Sequence, residues 1–232
     1  MTVFLFLSTP VFLIMLIDYI FTRSPASYGR GISTGTRNWT VIIVRFGIPF
    51  LICIPLFPIL QLIKDLFPQS YKPMDSLINL VVGEHLIPLL IALFVSLLLY
   101  RVFIGEGVGF YSIDFLHILV TLGGFFTANS ILEQIDNHSD PSFYRLLWLP
   151  FIRLSIISSV SYLITIGFSQ SGWLRAIFFA LVFLLPVIAG VVSFISVSGL
   201  LFFPSIACLG FLLVSLLPIF LTNPIRLIDG SS

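Results

Sequence analysis

Charge is what this chain has least of. Its 232 residues include eleven Lys and Arg and ten Asp and Glu, 9% of the whole, against about 25% in soluble globular domains. So few charges cannot cover a water-facing surface of this size, which excludes an ordinary soluble globule. A net charge of +1 with no basic cluster offers nothing to neutralise a nucleic-acid backbone. The two cysteines, Cys53 and Cys208, lie inside apolar runs and read as small core residues rather than a disulfide.

Catalytic signatures are missing as well. The sequence holds no nucleophile elbow, no metalloprotease helix, no phosphate-cradling Gly-rich loop and no paired aspartates of a lipid transferase. No internal repeat is visible, so the usual sequence pointer to a rocking transporter is lacking. No loop has room for a soluble domain. The longest, Arg23 to Thr40, is rich in Gly, Ser and Arg without apolar periodicity and reads as irregular.

Apolar residues fill the place of the missing charge. They make up 58% of the chain, with 25 Phe, and the mean hydropathy is +1.14. Crossing ~30 Å of hydrocarbon takes about 20 helical residues. The fold class expected is an all-α, polytopic bundle of seven transmembrane helices forming one integral membrane domain over residues 1–232. The spans are Val3–Thr22, Val41–Ile63, Leu77–Ile104, Val108–Asn129, Tyr144–Phe168, Trp173–Val197 and Leu201–Leu221. The first reads as a retained span, because it lacks the basic flank of a cleaved signal. The last two divide an uncharged stretch, Ala176 to Pro224, that is ~70 Å long as helix and so long enough for two crossings. Six spans with the N-terminus inside is the alternative.

Basic residues in short loops set the expected orientation. With the N-terminus outside and the C-terminus inside, the inner segments carry Arg23, Arg30, Arg37, Arg101, Arg175 and Arg226. The outer ones carry Lys64, Lys72 and Arg145. The acidic stretch Glu133 to Asp140 then falls in an outer loop and reads as a solvated, partner-contacting turn. Trp39, Trp148, Trp173, Tyr71 and Tyr144 stand near span ends, as in an aromatic belt. Pro49, Pro55 and Pro58 share the second span and predict a helix that is not straight.

A charge inside the bilayer needs a partner, a route to the interface, or a task. Counting from the turns gives the partners. Asp18 and Arg45 fall level near the inner end, and Arg101 lies within reach of Asp114; both read as structural ion pairs. His117 follows Asp114 by three residues on one helix face. Arg153 lies deep in the fifth span, opposite Val120 and within one turn of His117. Asp114, His117 and Arg153 therefore form the expected transport or proton-relay site near the midplane. Glu84 and His85, towards the outer end of the third span, are secondary polar candidates. The residue level with His117 is Phe94, ~13 Å of helix from His85, so a haem clamped by the two histidines is disfavoured.

No metal site and no cofactor is expected; the expected partners are membrane lipids and other membrane subunits. The leading functional reading is a subunit of a larger energy-transducing or proton-translocating membrane complex, without chemistry of its own, in a bacterial cytoplasmic or mitochondrial inner membrane. The alternative is a self-sufficient carrier or channel for a small solute or ion, using Asp114, His117 and Arg153. Small residues such as Ser155, Ser158, Ser159, Ala189, Gly190 and Ser193 read as helix-packing positions.

Overall fold

A computed structural model describes residues 39–67, 73–104, 115–136 and 149–197. The described elements are all helical. Helix α1 is Trp39–Asp65. The next helical rod has three consecutive parts: α2 (Pro73–Ile78), a π segment (Asn79–Leu86) and α3 (Ile87–Ile104). Then come α4 (Phe115–Asp136), α5 (Leu149–Ser169) and α6 (Gly172–Val197). Four stretches are long and apolar enough to cross a membrane, Ile42–Asp65, Met74–Val102, His117–Asp136 and Gly172–Ile195; a shorter apolar stretch is Ile152–Phe168. The expected first and seventh spans lie outside the described residues.

Local chemistry explains the helix ends. Lys64 stands in the last turn of α1, where a cation complements the helix dipole. Pro73 opens α2 at a position where its missing N–H costs nothing, and Asp75 sits in the same first turn. Helix α1 continues through Pro49, Pro55 and Pro58 as one α-helical element. The α5–α6 connection is very short, and Gly172 makes it by adopting φ +62°, a conformation open to glycine without a Cβ clash. The Gln170 carbonyl left at this turn accepts a hydrogen bond from Arg175 Nε at 2.9 Å.

The π segment is the unforeseen element. Its closing bond runs from the Ile87 N–H to the Val82 carbonyl, five residues back rather than four. Pro88 follows directly. In a regular α-helix its ring would collide with the Glu84 carbonyl, and a wider turn just before it relieves that contact. The widening buries Gly83, Glu84 and His85 side by side.

Helix α4 is the hub. It packs against α1, α3 and α5; α5 packs on α6, and α6 returns against the π segment and α2. Burial within the protein follows this order, at 67% of the crossing stretch for α4 and 11% for α1. Phe115, Ile118, Leu122 and Phe125 of α4 meet Leu89, Ala92 and Tyr100 of α3, and Ile152, Ile156 and Val160 of α5, in one apolar core. Cys53 is buried there and free.

Lipid tails compete with apolar side chains, so helix association in a membrane depends on close packing. Two contacts show how close. A Cβ on Gly124 of α4 would stand 2.2 Å from the Phe46 carbonyl oxygen of α1, and one on Gly190 of α6 would stand 2.6 Å from the Val81 Cα of the π segment. Only glycine permits these crossings. The small-residue reading of Gly190 thus meets a specific backbone contact.

Two hairpins differ from the levels counted in the sequence. The fourth span is expected at Val108–Asn129, whereas α4 runs Phe115–Asp136. Glu133 to Asp136 are therefore helical and not part of a solvated turn. With α4 ending at Asp136 and α5 starting at Leu149, Arg153 comes level with Leu132 rather than Val120. In the preceding hairpin His117 meets Tyr100, not Phe94, with ring centroids 5.4 Å apart. Both shifts share one cause: the inter-helix segments are longer than the shortest turn that hydropathy allows.

Candidate functional site

Polar and charged side chains gather at the end of the bundle that holds the C-terminus of α4 and the N-terminus of α5. Five helical elements contribute. Lys64 of α1 reaches Glu84 of the π segment, Nζ to Oε1 3.3 Å. Arg153 of α5 places Nη2 2.7 Å from Glu133 Oε2 of α4. Its Nη1 donates to Ser130 Oγ at 2.6 Å, and its guanidinium carbon stands 6.0 Å from the Phe126 ring. Glu133 is held in turn by Asn129, whose Nδ2 donates to Oε1 at 3.2 Å. His85, fully buried, lies 2.8 Å from Ser193 Oγ of α6 through Nε2.

These contacts belong to one cluster. His85 lies within electrostatic range of Arg153, Glu133 and Lys64, so the imidazole and the two ion pairs share one end of the bundle. The charges balance, two cations against two carboxylates, which is what a low-dielectric interior demands. Arg153 is only 1% exposed. A guanidinium that deep cannot draw on water, so the Glu133 carboxylate, Ser130 and the Phe126 face must replace its hydration. Chemically, the arrangement is a neutral, hydrogen-bonded set containing one imidazole and two carboxylates, the groups most able to take up and release a proton.

The expected midplane site is arranged differently. Asp114 lies outside the described residues, as does Asp18, the expected partner of Arg45; no pairing of Arg45 or Arg101 with either is described. Arg101 is exposed near the end of α3, and Arg45 is half-buried. His117 and Arg153 do not meet. His117 Nε2 donates to the Ser96 carbonyl at 3.1 Å, while Arg153 binds Ser130 and Glu133, ~20 Å further along α4. The register shift of the α4–α5 hairpin is the reason.

Around His117 the hydroxyls bond the backbone and one another. Thr121 Oγ1 donates to the His117 carbonyl at 2.8 Å and lies beside Ser96 Oγ, which joins α3 to α4. On α5, Ser158, Ser161 and Thr165 donate to the carbonyls of Leu154, Ile157 and Ser161 of their own helix. These hydroxyls complete backbone bonding and carry no sign of a pathway.

Glu84 and His85, secondary in the sequence, stand in the main cluster. Lys64 and Glu133 were not singled out as site residues by sequence reasoning. A signal for Glu133 existed: Asn129 and Glu133 are spaced as helix-face neighbours, and no proline or glycine interrupts the chain between Asn129 and Asp136. Among the described residues, no three His, Cys, Asp or Glu side chains converge as metal ligands. In comparison with known proteins, no family model, no curated protein and no solved structure matches the chain.

Proposed function

We propose that this is a seven-span integral membrane protein that handles protons or a small ion through the buried Lys64–Glu84–His85–Arg153–Glu133 cluster. The single observation that supports this reading is a guanidinium 1% exposed and bonded to a carboxylate at 2.7 Å, within electrostatic range of a buried histidine. Ionisable groups inside a membrane are costly and concentrate on ion and proton pathways. The π segment adds weight, since such segments recur at functional sites. The opposite end carries Arg45, Arg101 and Arg175, which favours an arrangement with that end on the cytoplasmic or matrix side. The cluster then opens towards the periplasm or intermembrane space.

The test is proton movement. The protein, extracted gently with its native partners, is reconstituted in liposomes under an imposed membrane potential, with a pH-sensitive dye inside. Wild type is expected to move protons, with Glu84→Gln and His85→Gln much slower. Vesicles as tight with wild type as without protein refute the reading.

Membership of a larger assembly is the second reading. It is favoured by the outward faces of α1 and α6, where Leu51, Ile59, Leu62, Phe183, Leu184 and Val191 are exposed and available to partner helices as well as to lipid. Native sizing after gentle extraction decides it: a lone 25.9 kDa chain or a small homo-oligomer counts against a complex.

A further inference from the structure

Helix α1 has one packed stripe and one bare one. Phe46, Cys53, Leu56 and Leu60 face the core, and Pro49 is buried with them. On the opposite side Leu51, Ile54 and Leu62 are 63%, 45% and 66% exposed, and Pro55 and Pro58 are exposed between them. Steps of three and four residues put these five on a single helix face.

The two prolines make this face more than apolar. A proline inside a helix has no N–H for the carbonyl four residues back, so Pro55 leaves the Leu51 carbonyl, and Pro58 the Ile54 carbonyl, without a regular donor. Helix α1 stays α-helical through both positions, without the widened turn that precedes Pro88. No Ser, Thr, Asn or Gln stands between Val41 and Leu60 to bond them from within the helix. Among the described residues, no hydrogen bond from another element reaches either carbonyl. Measured from the ends of the crossing stretch Ile42–Asp65, Leu51 lies ~14 Å from one end and Ile54 ~17 Å from the other. Headgroup water does not reach that depth, and a bare carbonyl in hydrocarbon is costly.

The occupant of this face must therefore bring donors. Lipid tails have none. A second copy of the same stripe presents only Leu, Ile and Pro, and the outward face of α6 presents Phe183, Leu184, Val187 and Val191, which donate nothing either. We infer that the stripe seats a transmembrane helix of a partner subunit, carrying two Ser or Thr hydroxyls three or four residues apart that donate to the Leu51 and Ile54 carbonyls. The spacing follows from the carbonyls, which are three residues and so ~4.5 Å apart along the axis. That is the rise between neighbouring side chains on one face of a helix lying alongside. Ser and Thr fit because their short side chains let helices approach closely while donating across the contact. The inference rests on the second reading above, membership of an assembly, and adds the chemistry of the partner.

Energy transfer in liposomes tests it, between the purified, donor-labelled full chain and acceptor-labelled synthetic helices. The probes are a Leu-rich helix of about 20 residues with two central serines three residues apart, and the same helix with alanines in their place. The serine helix is expected to bind wild type roughly five- to ten-fold more tightly, as two interhelical hydrogen bonds of the strength found in membrane proteins imply. In the Pro55→Ala/Pro58→Ala protein both carbonyls regain an N–H donor, and alanine favours the helix, so the two probes are expected to bind equally. Equal binding to wild type overturns the inference, and so does a serine preference that survives in the variant. Failure of both probes to bind overturns it too, the stripe then being closed by another span of this chain or by a second copy; disulfide-linked dimers of the Leu51→Cys protein identify the copy. Native sizing keeps the two readings apart. A large complex with equal probe binding removes the donor site alone, whereas a lone chain with a serine preference removes the assembly and leaves the site.

Discussion

Arg153 gives the sharpest quantitative test. Removing its partner by Glu133→Leu leaves a guanidinium of 1% exposure with Ser130 and the Phe126 face alone. At a charge separation of ~4 Å and an effective dielectric of ~20, the lost attraction is about 4 kcal/mol. Breaking a buried ion pair by deleting one member costs about 3–5 kcal/mol in measured systems, so the two figures agree. Removing both charges while keeping volume, in Arg153→Met/Glu133→Leu, is expected to recover most of that loss, because the desolvation of both ions disappears with their attraction. Reversible unfolding in mixed micelles measures the four corners of this cycle. A coupling of at least ~2 kcal/mol is expected, against additivity within about 0.5 kcal/mol for Arg153→Met combined with His117→Gln, since those side chains share no partner. Additive behaviour of Arg153 with Glu133, or coupling of Arg153 to His117, refutes the register of the α4–α5 hairpin.

Three further outcomes follow from the glycines. Gly124→Ala puts a methyl group 2.2 Å from a backbone oxygen of α1; it is expected to push α1 off α4 and lower the thermal midpoint in detergent. Gly47→Ala, with nothing within 4 Å of the new atom, is expected to be neutral or stabilising by up to about 1 kcal/mol. Gly172→Ala faces φ +62° with open space around it, so it is expected to cost only about 1–2 kcal/mol of backbone strain. Faster proteolysis between α5 and α6, with proton flux unchanged, is the readout.

Sequence reasoning located helices where a charge or proline stood close to a hydropathy boundary. Val41–Ile63 and Trp173–Val197 are nearly the observed α1 and α6, bounded by Asp65 and by the Gly172 turn. It missed the C-terminal end of α4, because Asn129, Ser130, Glu133 and Gln134 look like a loop when read locally. Their polarity is matched by Arg153 from the next helix, and that compensation is invisible to a one-dimensional window. The same displaced boundary moved Arg153 towards His117. Glu84 and His85 were legible as costly intramembrane residues, but their convergence with Lys64 and Ser193 required tertiary packing. The π segment was illegible for another reason: Pro88 signals a disturbance, and only the surrounding contacts decide whether it kinks, breaks or widens the helix.

Helix α4 has the lowest mean hydropathy of the four membrane-length helices, 1.3 against 2.7 for α6, and the largest share enclosed by protein. A segment with Glu133 and Asn129 in its last turns enters hydrocarbon poorly by itself. During synthesis it is better sheltered than released, until the following helix emerges with the cation that neutralises it. The arginine that closes the charge network is thus also expected to order assembly, with α4 and α5 leaving the insertion machinery as a pair.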